Sequence, residues 1–220
     1  MVDNSETELR PSVIAAWEIL SLVVSCLLAE WLLLSFVAGS KLVFAIPVGF
    51  ALILMVVSHR VYGETTREIG FRLDNFLAAL KSLAIPTAVF ILLAIVLVTL
   101  FAQSGIALRT PRLRFTAIPL WALFQQYALQ GFVNRRAQIW LGKGWKSILL
   151  VATVFAVVHL PNPLLTALTF VGGAVWAWSY QRESNLFALA ISHTLASMTL
   201  AVIVPPSLIN SLRVGFKFFG

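Results

Sequence analysis

An all-α, polytopic transmembrane helical bundle of about seven spans is the fold that this chain predicts, and three observations carry it. Hydrophobic residues fill 60% of its 220 positions, and charged residues only 11%. A soluble domain is nearer 45 to 50% apolar and about 25% charged. Mean hydropathy is +0.92. The apolar residues also gather in runs on the scale of a membrane-spanning helix, which needs about 20 residues.

Taken in order, the runs predict spans near 13–38, 42–58, 83–102, 116–134, 147–160, 164–180 and 186–204. Residues 1–220 then form a single membrane domain, with two N-terminal spans in 1–59, a core in 60–204 and a C-terminal tail in 205–220. Within the core, 61–81 alternates Glu64, Arg67, Glu68, Arg72 and Asp74 with Ile69, Phe71, Leu73, Phe76 and Leu77, the pattern of an amphipathic interfacial segment. Pro205-Pro206 should stop the last helix. A short or re-entrant eighth element in Ser207 to Gly220 is the alternative to seven. No internal repeat, low-complexity tract or flexible linker interrupts the series.

Charge bounds the partners. The net charge is +7, but Lys and Arg stand between apolar runs instead of along one face, so they suit membrane lipid headgroups and no nucleic acid partner is expected. With the N-terminus in the cytoplasm, one side collects Arg10, Arg60, Arg67, Arg72, Lys81, Arg135, Arg136, Lys143, Lys146 and Arg182. The other side has Lys41, Arg109, Arg112, Arg114, Arg213 and Lys217. The excess of basic residues predicts the first arrangement. Trp140 and Trp145, flanking the basic 135–146 loop, fit interfacial anchors or ordinary core positions. Asp3, Glu6 and Glu8 precede the first run where a cleavable signal would carry basic residues, so the first helix is expected to stay. Short loops and the lack of a targeting segment point to a prokaryotic plasma membrane. Cys26 is the only cysteine, which excludes an intramolecular disulfide and a cysteine-based metal site.

Polar groups deep in apolar spans are costly and become site candidates by default. Gln125, Gln126 and Gln130 share the fourth span, and at helical spacing Gln126 and Gln130 fall on one face with Gln125 one step round. His159 ends the run begun by Phe155 and precedes Leu160-Pro161-Asn162-Pro163. His193 lies inside the last span with Ser197 one turn later. Together these helices could bury amides, two imidazoles and a hydroxyl in one pocket.

Four chemistries fit such a set. The groups could act as interhelical packing glue, at about 0.6 kcal/mol per contact. A metal site is weak, with two histidines far apart and no His-Glu-x-x-His motif; no metal and no cofactor are expected. In a hydrolytic site, histidine would serve as base while the amides and second histidine steady an oxyanion. A transport or lipid-binding site would use the same groups to bind. Glu18 and Glu30 are the only acidic residues in the expected spans, and Glu30 is the better placed to reach the pocket. His59, beside Arg60 at a span end, is expected at the interface.

At these residues the chain resembles the family of CAAX proteases and bacteriocin-processing enzymes (CPBP, also called Abi), which includes the Rce1-type prenyl-protein endopeptidases. The family pattern is Glu-Glu-x-x-x-Arg, then Phe-x-x-x-His, then His-x-x-x-Asn or a similar small residue. Gln125 and Gln126 match its two glutamates and Gln130 its arginine, followed by Gly131. Phe155 and His159 match the second motif, and His193 and Ser197 the third. Gly70-Phe71-Arg72-Leu73-Asp74 is also similar to a stretch common in the family. The resemblance spans residues 60 to 204. It implies intramembrane endopeptidase cleavage of membrane-associated or prenylated peptides, with Gln125, Gln126, His159, His193 and Ser197 at the catalytic positions and Gln130 and Phe155 as substrate-binding ones. Three charged positions of the family are neutral amides here. The alternative is therefore a catalytically inactive peptide- or lipid-binding scaffold or immunity protein using the same cavity, and whether the chain acts as an enzyme stays open.

Overall fold

A computed structural model describes residues 11–33, 41–101 and 117–219. Asp3, Glu6, Glu8, Arg10, Arg109, Arg112 and Arg114 lie outside them. Among the described residues, helices are joined by short turns and no strand occurs. Helix α1 (Pro11–Leu28) runs into a π-helical turn (Ala29–Leu33), and α2 spans Lys41–Val61. A short helix α3 (Thr66–Ile69) precedes α4 (Phe76–Phe101). The next rod is continuous but changes winding: α5 (Ile118–Gln126), a π-helical stretch (Tyr127–Asn134) and α6 (Arg135–Leu141). Helices α7 (Trp145–Val157), α8 (Pro163–Arg182) and α9 (Leu186–Ile203) follow. The chain closes with α10 (Pro206–Ile209) and two 3₁₀ turns, Asn210–Leu212 and Gly215–Phe218.

Pro11–Trp31, Phe76–Leu100 and Leu186–Ile203 are each long and apolar enough to cross a membrane; Ile46–Val61 and Trp145–Val157 are shorter apolar helices. The bundle also turns apolar side chains outward, with Phe50, Ile85 and Leu100 each at least 70% exposed. An outward apolar surface on this scale needs a cover, and lipid supplies it. The protein is an integral membrane helical bundle. Pro47 and Pro86 lie inside α2 and α4, which membrane helices tolerate when neighbouring groups satisfy the freed backbone.

The third span starts at Phe76, earlier than the apolar run from 83 predicts, because the polar stretch before it is tied to the bundle. Thr65 and Glu68 form a reciprocal capping box at the start of α3. Its C-cap, Gly70, has φ of 110° and lies against Leu186 and Tyr180, where a β-carbon would come within 3.2 Å of the Leu186 side chain. The Leu186 amide donates to the Gly70 carbonyl at 2.9 Å, the Tyr180 hydroxyl to Ile69 at 2.7 Å, and the Asn185 amide to Arg72 at 2.7 Å. These bonds hold the Gly70–Asp74 stretch on the N-terminal end of α9.

At the same end of the bundle, Arg136 is fully buried. Its guanidinium reaches Glu18 of α1 at 2.9 Å, Glu64 at 3.0 Å and the Ser58 hydroxyl at 2.8 Å, with Tyr62 stacked 4.1 Å from it. Arg135 donates to Glu64 at 2.6 Å, and His59 Nδ1 donates to the other Glu64 oxygen at 2.5 Å. His59 is therefore a buried member of an ion cluster, not the interfacial residue its neighbour Arg60 predicts. The carboxylate five residues on, brought back by the turn after α2, supplies the partner that makes burial tolerable. Glu18 finds its partner here too. A buried charge deprived of its partner typically costs 3–5 kcal/mol, so this cluster fixes the α1–α2 pair against α6.

Burial would raise the Glu64 pKa, but hydrogen bonds from His59, Arg136 and Arg135 outweigh it and lower the carboxyl from 4.5 to about 2. A depressed carboxylate stabilises the fold fully above its unfolded pKa and loses that contribution as pH falls through the folded one. Thermal unfolding of the protein in bilayers should therefore lose stability between pH 4.5 and about 2. Glu64→Gln should be less stable at neutral pH and show a flatter profile across this window.

Candidate functional site

The bundle holds a cavity of about 630 Å³ with a mainly apolar wall. Gln125, His159, His193 and Ser197 line it, as does Phe155. Five of the residues singled out in the sequence thus share one cavity, contributed by α5, the α7 end and α9. Among the described residues, Glu30 is the only acidic side chain in its wall.

Phe155 organises the two imidazoles. His159 lies edge-on to its ring with centroids 4.7 Å apart, and His193 approaches the same ring at 5.7 Å, also edge-on. The close fit of α8 on α7 holds Phe155 in place: at Gly173 a β-carbon would come within 3.2 Å of the Ala152 backbone and 3.3 Å of the Phe155 side chain. Helix α7 ends at Val157, so His159 stands in the turn that follows and its Nδ1 lies 2.6 Å from the Phe155 carbonyl. A carbonyl oxygen only accepts, so Nδ1 carries the proton and Nε2 keeps a free lone pair.

His193 is held differently. It is buried, and its Nδ1 lies 3.2 Å from Nε2 of the fully buried Gln126. An amide nitrogen only donates, so Nδ1 accepts and the ring proton falls on Nε2. The indole of Trp176 lies over the ring with centroids 4.5 Å apart. Trp176 in turn donates to the Ser192 hydroxyl at 3.0 Å, which shares a 2.7 Å hydrogen bond with Thr87. The two histidines therefore present opposite chemistry, an acceptor nitrogen on His159 and a donor nitrogen on His193.

The three glutamines part company. Gln125 faces the cavity, and Gln126 braces His193 from behind the wall. Gln130, fully buried, accepts from Asn134 at 2.8 Å in an amide network. Gln181 donates to Asn134 at 3.0 Å and to Ser147 at 2.9 Å. Four-residue spacing puts Gln126 and Gln130 on one face of an α-helix, but the chain is π-wound from Tyr127 onward, and π winding changes the angular step. Gln130 accordingly meets Asn134 of the same rod, whose amide also donates to the Ala177 carbonyl of α8 at 3.3 Å, instead of lining the cavity.

Trp176, Ser192 and Thr87 escaped the sequence reading because nothing in an apolar run marks which tryptophan or hydroxyl will meet a histidine. Glu30 did carry a signal, an acid in an apolar span. Among the described residues, no three His, Cys, Asp or Glu side chains gather as metal ligands.

Replacing Gln126 by Leu leaves His193 Nδ1 buried without its partner. Gln126→Leu is expected to destabilise the protein by about 1–3 kcal/mol, read by unfolding in bicelles, whereas Gln126→Glu should keep the contact by accepting from the ring, with the imidazole proton moved to Nδ1.

Residues 110–199 match the model of a family described as type II CAAX prenyl endopeptidase Rce1-like. The matched stretch contains all of the site residues from Gln125 to Ser197. No curated protein matches the chain, and no solved structure does.

Proposed function

We propose, on the premise that residues 110–199 make this chain a member of the Rce1-like family, that its cavity takes a membrane-associated or lipidated peptide and cleaves it by a histidine-centred hydrolysis. The observation that carries this reading is the pair of opposed imidazoles about Phe155. The free Nε2 of His159 can accept a hydrogen bond from the attacking water. The N–H of His193, with the Ser197 hydroxyl beside it in the wall, can meet the negative oxygen that develops on the scissile carbonyl. Phe155 and the apolar wall suit the hydrocarbon part of such a ligand, and Gln125 can hold a peptide carbonyl or amide. Gln130 contributes by bracing the helix that carries the site.

Glutamine takes up no proton at ordinary pH, so Gln125 and Gln126 do not replace a carboxylate base. Loss of a general base typically costs 10²- to 10⁴-fold in rate. This favours a second reading, a pseudoenzyme that binds a peptide or lipid in the same cavity as a scaffold or immunity protein. The excess of basic residues on one set of loops supports a cytoplasmic N-terminus, and the short loops favour a prokaryotic plasma membrane.

Purified protein reconstituted in lipid vesicles with prenylated and unmodified peptides separates the two. Slow cleavage by the native protein that disappears in His159→Ala supports the enzyme. Binding without cleavage, weakened by substitutions in the cavity, supports the scaffold. Cleavage indifferent to His159→Ala contradicts the assigned site.

A further inference from the structure

We infer that Glu30, delivered from α1 by its π-helical turn, is the carboxylate base of this cavity and stands in for the acid that the glutamine pair lacks. The inference rests on the hydrolytic reading above and adds to it a residue from outside the matched 110–199 segment. Four observations carry it. First, Glu30 is the only acidic residue in the cavity wall among the described residues, and it shares that wall with His159, His193 and Ser197. Second, the α-helix gives way to π winding at Ala29, so Glu30 lies in a turn of altered angular step; such single π turns are common at functional sites.

Third, the C-terminal tail locks Glu30 beside the histidine turn. Gly215 packs so closely on Glu30 that a β-carbon there would lie 2.7 Å from the Glu30 carbonyl oxygen and 3.3 Å from its own β-carbon. The same Gly215 donates its amide to the carbonyl of Leu160, the residue after His159, at 2.8 Å. Only glycine fits this spot, which combines the contact with a φ of 58°. Asn162, two residues further on, completes the lock by donating to the carbonyls of Ile209 at 2.8 Å and Arg213 at 3.2 Å. One glycine thus bridges the backbone of the acid and the backbone next to the imidazole. Fourth, among the described residues Glu30 has no ion-pair partner of the kind that holds Glu18 to Arg136, although Lys217 lies within electrostatic range. An intramembrane carboxyl left to face a cavity is a functional-site candidate.

In the step this assigns, a water held by His159 Nε2 gives one proton to the Glu30 carboxylate while its oxygen bonds to the scissile carbonyl carbon. The carbonyl π pair moves onto oxygen, opposite the His193 N–H and Ser197. Collapse restores the C=O and breaks the C–N bond, and the proton held by Glu30 passes to the departing amine nitrogen. One water is consumed, and a carboxylic acid and an amine are released.

The test uses the full chain in vesicles with farnesylated and unmodified peptides, cleavage read by mass spectrometry and binding by photo-crosslinking. Glu30→Gln is expected to lower kcat by about 10²- to 10⁴-fold with peptide binding unchanged, and Glu30→Asp to keep part of the rate. Adding Gln125→Glu to Glu30→Gln should restore activity, since Gln125 faces the cavity and the change returns a carboxylate to its wall. A residue that merely braced the fold would show no such rescue. Native-like cleavage by Glu30→Gln, alongside a dead His159→Ala, overturns the role of Glu30 and leaves the histidine reading standing. Loss without rescue in a folded, monodisperse Glu30→Gln also overturns it. Absence of cleavage by the native protein overturns both.

Discussion

A guanidinium with no access to solvent decides where the N-terminal helices stand. Arg136 gathers Glu18, Ser58 and Glu64 from three segments, and Arg135 and His59 complete the set. Each of these groups would be costly in an apolar bundle by itself, and each is tolerable only with the others in place. Pinning Glu18, in the first half of α1, fixes the helix along the bundle. At 1.5 Å per residue it brings Glu30 roughly 18 Å further on, to the level of the cavity. The ion cluster sets the register of the one acid that lines the site among the described residues.

Among the described residues, the cavity wall obeys the opposite rule, with Glu30 as its acid and no Lys or Arg. Where the family pattern has two acids and an arginine, the rod from α5 to α6 has Gln125, Gln126 and Gln130. The change is coherent, since removing the negative charges also removes the need for a buried cation. Each amide has found neutral work: Gln125 faces the cavity, Gln126 braces His193 and Gln130 joins Asn134. This division falls where π winding begins after Gln126, with Gln130 meeting Asn134 inside the π-wound stretch.

Much of the fold was legible because span existence depends only on the length and composition of apolar runs, which are local. Its core helices follow from that, and the last of them ends at Ile203, just before Pro205-Pro206. The start of α4 at Phe76 was not legible, since it depends on Asn185 and Leu186 holding the preceding turn from more than a hundred residues away. The same holds for His59, whose partner Glu64 becomes reachable only once the turn after α2 folds back. In the site, His159, His193, Phe155 and Ser197 could be read from motif order. The placement of Gln130 could not, because four-residue spacing assumes α geometry and π winding is imposed by packing. Trp176 carried no mark at all.

The central claim is that the two histidines are locked as opposite tautomers around Phe155, one offering a lone pair and the other a proton. Nitrogen-15 NMR of histidine-labelled protein in lipid bilayers, with resonances assigned by single histidine substitutions, reads this directly. The account predicts a proton on Nδ1 of His159 and on Nε2 of His193, with the His193 signal shifting in Gln126→Leu and the His159 signal unmoved. A proton on Nε2 of His159, or two rings averaging between tautomers, would contradict it.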